Sequence, residues 1–205
     1  MKNKIYNIIL FILITILIVV SILIVIKYSK NQENEKEIIQ VVAEVKQQFE
    51  QIENTTNENK QTEKKQVNVT YKGYNVVGMI KIPRINIEYP ILDKTTDASM
   101  EVSITKFWGN NVNDIGNFSM AGHNYLDGTM FGKTKKLEIG DKIEMTDLTG
   151  TTIEYQIFDK YVIDPNDVEC VKSVDPNTRE ITLITCTNRM KNRMIIKARE
   201  ILEKN

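Results

Sequence analysis

The sequence predicts a mainly β domain, a barrel or a sandwich, carried behind an amino-terminal helix. Three observations support this. Short runs rich in Ile, Val, Thr, Tyr and Phe recur from residue 74 onward, each bounded by Gly, Pro, Asn or Asp. Convincing helical periodicity appears only before residue 53. With the apolar and polar amino-terminal stretches subtracted from 205 residues, there is room for one domain of ordinary size.

The elements follow in order. Lys2 and Lys4 precede Ile5–Ile26, an apolar run broken only by Tyr6, Asn7, Thr15 and Ser21. About 20 apolar residues span a bilayer as a helix, and this run has them. It ends Val25-Ile26-Lys27-Tyr28 without a small-residue cleavage site, so a retained anchor is expected rather than a cleaved leader. Lysines on both flanks leave the positive-inside rule silent on orientation. In Asn31–Ile52 the positions Ile38, Val41, Val42, Val45, Phe49 and Ile52 share one helical face, which predicts a helical stalk or a helix lying on the domain. Glu53–Gln66 has no apolar residue besides its threonines' methyls and reads as a flexible tether. The domain boundaries expected are therefore 1–27, 28–66 and 67–205.

Within the last of these, Tyr74–Ile82 and Ile85–Ile91 read as strands joined near Pro83-Arg84. Thr95–Trp108 is irregular, with a strand and a short helix both open. A turn-rich loop to Gly116 leads into a short apolar strand ending at His123. Leu126–Gly132 is a loop, Gly140-Asp141 a turn before a strand ending near Met145, and Ile153–Ile163 a long strand stopped by Pro165. Asp164–Pro176 is a loop with room for a helical turn. Ile181–Cys186 and Arg193–Ala198, separated by a short polar run, form a hairpin.

Charge and composition exclude some functions. The 27 basic and 27 acidic side chains cancel, and the basic ones are scattered among acids. That is an ordinary solvated surface, not a nucleic-acid face. Two cysteines do not make a disulfide framework, and one histidine makes a zinc site unattractive. The reading calls for no metal and no cofactor. Cys170 is read as incidental.

The chemistry-bearing candidates stand at strand ends. A free Cys after an apolar strand is ordinarily a small buried hydrophobe. Cys186 has company, however: the single histidine, His123, also ends a strand, and Arg193 begins the next one. A thiol nucleophile needs a nearby imidazolium or guanidinium to hold it as thiolate. From the residues alone, the catalytic and structural readings of Cys186 stand level.

Thr182-Leu-Ile-Thr-Cys186 with Arg193 following, and Ala121-Gly-His123 upstream, resemble the signature of the sortases, membrane-anchored cysteine transpeptidases of Gram-positive bacteria. Ile82-Pro83 and the run ending Pro90-Ile91 resemble the opening strands of that domain, so the likeness covers roughly Val76 to Ala198. It implies a closed β-barrel of about eight strands with short helices. It also implies an amino terminus inside the cell membrane, a single span and an extracellular catalytic domain. Cys186 would form a thioester with a Leu-Pro-x-Thr-Gly-like sorting signal of a surface protein, and His123 would be the acid and base. Arg193 would steady the oxyanion, with Arg189 as competitor, and Ala121 and Thr185 would line the substrate groove. The acceptor would be an amine of a peptidoglycan precursor. The short link from Cys186 to Arg193 departs from several sortase classes. No acidic cluster is assignable to calcium, and the lack of a second apolar segment speaks for protein anchoring rather than pilus building. A thiol peptidase that only hydrolyses, and a non-enzymatic extracellular binding or sensor domain with an inert Cys186, are the alternatives.

Overall fold

The computed structural model describes residues 2–58 and 69–202. The chain divides into two units, Met1–Gln40 and Val41–Asn205. Helix α1 runs over Lys2–Glu58. Its stretch Lys4–Lys30 has a mean hydropathy of 3.6 with none of it buried, and is long and apolar enough to cross a membrane. Leu10, Phe11, Leu17 and Leu23 stand exposed along it. The polar breaks do not interrupt it, because Thr15 Oγ1 donates to Ile12 O (2.8 Å) and Ser21 Oγ to Leu17 O (2.8 Å). Their hydroxyls are thus satisfied inside the helix, as a bilayer requires.

In the second unit, α1 lies on the domain over its described side chains. Val42 and Val45 are buried, and Lys46 Nζ meets Glu88 Oε1 at 2.7 Å. The expected tether 53–66 is corrected in its first part, since the helix continues to Glu58. Positions 59–66 lie outside the described residues.

The rest is β. The strands are β1 (Thr70–Tyr71), β2 (Tyr74–Ile82), β3 (Ile87–Leu92), β4 (Ile104–Trp108), β5 (Gly116–Ala121), β6 (Lys142–Asp147), β7 (Thr152–Ile163), β8 (Arg179–Thr187) and β9 (Asn192–Glu200). They are ordered β1-β2-β3-β4-β5-β8-β9-β7-β6, and β2 also pairs with β6. That pairing closes an eight-strand barrel, with β1 a two-residue flap on β2. Pairs β3–β4 and β5–β8 are parallel and the others antiparallel. Closure removes the open edges that would otherwise invite association. Ile80, Ile91, Ile104, Met120, Ile143, Met145 and Ile196 fill the core.

Three details add to the sequence reading. The second strand starts at Ile87 rather than Ile85, because Pro83–Ile85 coil into a 3-10 turn that Asn86 closes at φ 51°. Proline fits the start of such a turn, and asparagine tolerates the left-handed region. The irregular stretch after Thr95 holds both of the open alternatives: helix α2 (Asp97–Met100) and then β4. The two-residue β1 carries no readable pattern and went unforeseen.

Candidate active site

Strands β5, β8 and β9 lie side by side, and their registers place the candidate residues. Alternation along a strand sends successive side chains to opposite faces. Phe118, Met120, Ile181, Leu183, Ile196 and Ala198 share the face buried in the barrel. The other face carries Ala121 beside Ile184 and Ile195, then Cys186 directly across from Arg193. Side chains of directly opposed residues in an antiparallel pair stand about 5 Å apart at Cβ. Cys186 and Arg193 are therefore neighbours, both half-buried.

His123 follows the last paired residue of β5, and four contacts fix it. Gly122 N donates to Ile184 O (3.2 Å), and Thr185 Oγ1 donates to Gly122 O (2.7 Å). Beyond it, Asn124 Nδ2 donates to Cys186 O (2.7 Å) and Phe131 N to His123 O (3.0 Å). The parallel pairing ends at Ala121 and Ile184, two residues before His123 and Cys186 respectively. Gly122 is required there, since a Cβ would sit 2.8 Å from the Phe131 ring. The histidine and cysteine, 63 positions apart in sequence, are thus held by bonds on either side of the imidazole.

The predicted site residues differ in how they face. Ala121, Cys186 and Arg193 share one face, and His123 stands two residues beyond the last paired residue of β5. Thr185 does not share that face: alternation turns it inward, where it is 4% exposed and its hydroxyl is committed to Gly122 O. Its contact is with the strand that carries His123. Arg193 Nη1 donates to Met190 O (3.2 Å) and Asn192 O (3.3 Å), bonds that use one of its three nitrogens. Arg189 lies exposed in the β8–β9 turn, where Asn188, Arg189 and Met190 all have positive φ (50°, 55° and 70°).

Sequence reasoning missed three neighbours. Glu101 Oε1 stands 3.4 Å from His123 Nε2, and Tyr125 Oη donates to Glu101 Oε2 at 3.0 Å. The Tyr125 ring lies 5.0 Å from the imidazole. Asn124 ties the chain just past β5 to the end of β8. Nothing local marks Glu101; the only nearby signal is the cap of α2, where Thr96 and Ser99 bond reciprocally.

The segment 164–178 lies across the same outer face. Asn117 Nδ2 donates to Val171 O (2.7 Å), Thr182 Oγ1 to Cys170 O (3.3 Å) and Lys197 Nζ to Lys172 O (2.6 Å). Glu180, 1% exposed, accepts from the Val174 and Asp175 amides and from Arg199. Cys170 packs with Ile184 and Ile195. Both cysteines are free thiols. Burial, then Asp167, push the Cys170 thiol up from its ordinary value.

With this geometry in place, comparison with known proteins gives a consistent answer. The sortase domain family model matches residues 80–201. Sortase A of Listeria monocytogenes is 36% identical over 114 residues, covering 54% of this chain and 49% of that protein. Sortase A of Bacillus anthracis is 33% identical over 114 residues, 55% of this chain and 53% of that one. The chain thus spans about half the length of the curated relatives it matches. Among solved structures, a Clostridium perfringens Sortase D5 transpeptidase superposes with a TM-score of 0.62 at 28% identity, over 82% of this chain and 98% of that one. Sortase A from Corynebacterium diphtheriae gives 0.58 at 26%, over 64% and 63%.

Proposed function

The chain belongs to the sortase family, and on that premise we propose that it is a membrane-anchored cysteine transpeptidase that attaches surface proteins to a cell-wall amine. α1 anchors it with its amino terminus inside, and residues 67–205 form the catalytic domain outside. The observation that carries the reading is the register that puts Cys186 opposite Arg193, with His123 tied alongside through Asn124.

In this reading the Cys186 sulfur attacks the carbonyl of a Leu-Pro-x-Thr-Gly-like signal. Arg193 offers fixed donors to the oxyanion, a contribution worth on the order of a hundredfold in turnover. Arg193 is favoured over Arg189 because a strand holds it beside the cysteine. His123 protonates the leaving amine, and a thioester remains on Cys186. An amine from a peptidoglycan precursor then displaces the sulfur, and His123 takes its proton. Ala121 forms the groove floor beside Ile184, and Thr185 holds the His123 strand in place.

The test uses the full-length chain in detergent micelles with a fluorescent sorting-signal peptide and an added primary amine. The expected result is a peptide–amine conjugate and an acylated Cys186 visible by mass spectrometry, with Cys186→Ala giving neither. Cleavage without conjugate at saturating amine would assign a hydrolytic thiol peptidase instead. Conjugation by Cys186→Ala would remove the thiol mechanism.

A further inference from the structure

A single imidazole that protonates the departing amine and deprotonates the arriving one requires both amines to occupy the same place beside it. In this chain that place has an acidic wall. Glu101 Oε1 is 3.4 Å from His123 Nε2, and the Tyr125 hydroxyl holds the other carboxylate oxygen at 3.0 Å. The opposite side of Cys186 is cationic, with Arg193 directly across the hairpin and Arg189 in the turn beyond it. An ammonium group is repelled from the arginine side and attracted to the glutamate side.

The glutamate is well placed for this. Its backbone lies between two fully buried serines, Ser99 and Ser103, whose hydroxyls donate to Lys94 O (2.7 Å) and Pro90 O (2.6 Å). The Thr96–Ser99 cap fixes the turn that precedes it. Its side chain is 69% exposed, so a cation arriving from solvent reaches it without crossing protein. Tyr125, pushed up to about 12 by burial and then by Glu101 itself, stays a donor at neutral pH and keeps the carboxylate oriented. An ionised carboxylate has about four acceptor positions, so the bond to Tyr125 leaves acceptor capacity over.

We propose that Glu101 is a specificity-determining residue for the second substrate, receiving its ammonium group beside His123 and so favouring cationic primary amines over uncharged nucleophiles. The inference rests on the transpeptidase reading and adds the charge of the acceptor to it. The ammonium gives one proton to His123, and the free amine adds to the thioester carbonyl. The carbon–sulfur bond then breaks, and a second proton from nitrogen passes to sulfur, leaving an amide and a thiol.

The experiment is a competition in one tube. Full-length chain in detergent micelles receives a sorting-signal peptide together with Nα-acetyl-lysine amide and hydroxylamine. The lysine ε-amine, with an ordinary pKa near 10.4, is fully charged at neutral pH; hydroxylamine is not charged there. The ratio of lysine conjugate to hydroxamate is set after the thioester has formed, so it is insensitive to acylation rate. Loss of an exposed ion pair predicts that Glu101→Gln lowers this ratio about threefold to fivefold. Glu101→Asp should retain most of it, and Glu101→Lys should lower it about tenfold by adding repulsion. An unchanged ratio in Glu101→Gln, with both products slowed alike, would overturn the proposal and make Glu101 a positioning residue for His123. Failure of the unsubstituted chain to form either product would instead remove the transpeptidase reading, and this inference with it.

Discussion

Cys186 and Cys170 show how one residue type takes two environments at the same sheet face, one on a strand and one in the segment that covers it. Cys186 is the last residue but one of β8 and half-exposed, whereas Cys170 is packed against Ile184 and Ile195. Burial raises the Cys170 thiol, so the folded state holds its proton more tightly than the unfolded state does. Its contribution to stability is therefore fully present below the unfolded thiol pKa and is lost as pH climbs through the raised folded value. Native protein treated with iodoacetamide at pH 7.5 should take up one label, on Cys186, and a second on Cys170 only when urea unfolds the domain; peptide mapping checks this. Thr185 supports the same site from inside the barrel. Thr185→Val keeps the shape but leaves Gly122 O without its donor, which costs about 1–3 kcal/mol for a buried acceptor. Urea melts should show that loss, and turnover should fall further than the lost stability accounts for, because the strand carrying His123 is no longer tied. Thr185→Ser should restore both. The candidates Cys186, His123 and Arg193 are legible in the sequence because the motifs that resemble those of the sortases mark all three, and the structure sets Cys186 across from Arg193. The inward turn of Thr185 is not legible there, because strand register decides it and a motif does not carry register.

At the scale of elements, the latch on segment 164–178 is what no sequence pattern disclosed. Alternating apolar residues made the β8–β9 hairpin and the long β7 readable, since period two survives in the letters themselves. Lys197 and Glu180 looked like members of a solvated surface. They are buried instead, because Lys197 Nζ reaches Lys172 O and Glu180 gathers two amides and Arg199. Those partners lie up to 25 positions away, so nothing local announces them. Burial lowers the Lys197 ammonium from its ordinary value, and the charge of Glu180 offsets this only in part, so this lysine opposes folding at neutral pH. Glu180 is the stronger member, and Glu180→Ala leaves an arginine and two amides unpaired. The expected cost is about 1–3 kcal/mol, the range for leaving hydrogen-bond partners unmade, because Arg199 is 38% exposed and keeps the Phe158 ring at 4.7 Å. Hydrogen exchange should locate the loosening at the Val174 and Asp175 amides, with exchange within β2 and β3 accelerating only to the extent that global stability falls.

At the scale of the whole molecule, the site depends on closure. The strand ends that carry His123 and Cys186 lie side by side because β5 and β8 run parallel, and a parallel pair needs a long crossover, here built from β6, β7 and the latched segment. The crossover is held at its far end by β2, whose Gly78–Lys81 pair with β6 and whose other edge pairs with β3. Gly78 serves this seam, because a Cβ there would stand 2.7 Å from Thr146 O. Ile80 lies in the same seam, fully buried, across from Met145 on one side and Tyr89 on the other. Ile80→Ala removes buried methyl groups and leaves a cavity, at a cost of about 2–5 kcal/mol. If the barrel is one cooperative body, this loss is felt everywhere at once, because no subset of strands keeps the β5–β8 register after the seam opens. Urea unfolding followed by Trp108 fluorescence on β4 and by Cys170 labelling under the latch should then give one shared midpoint, lowered equally in both signals by Ile80→Ala. Two separate midpoints would mean that the latched hairpin outlives the seam, and the site would then be held by β8 and β9 alone.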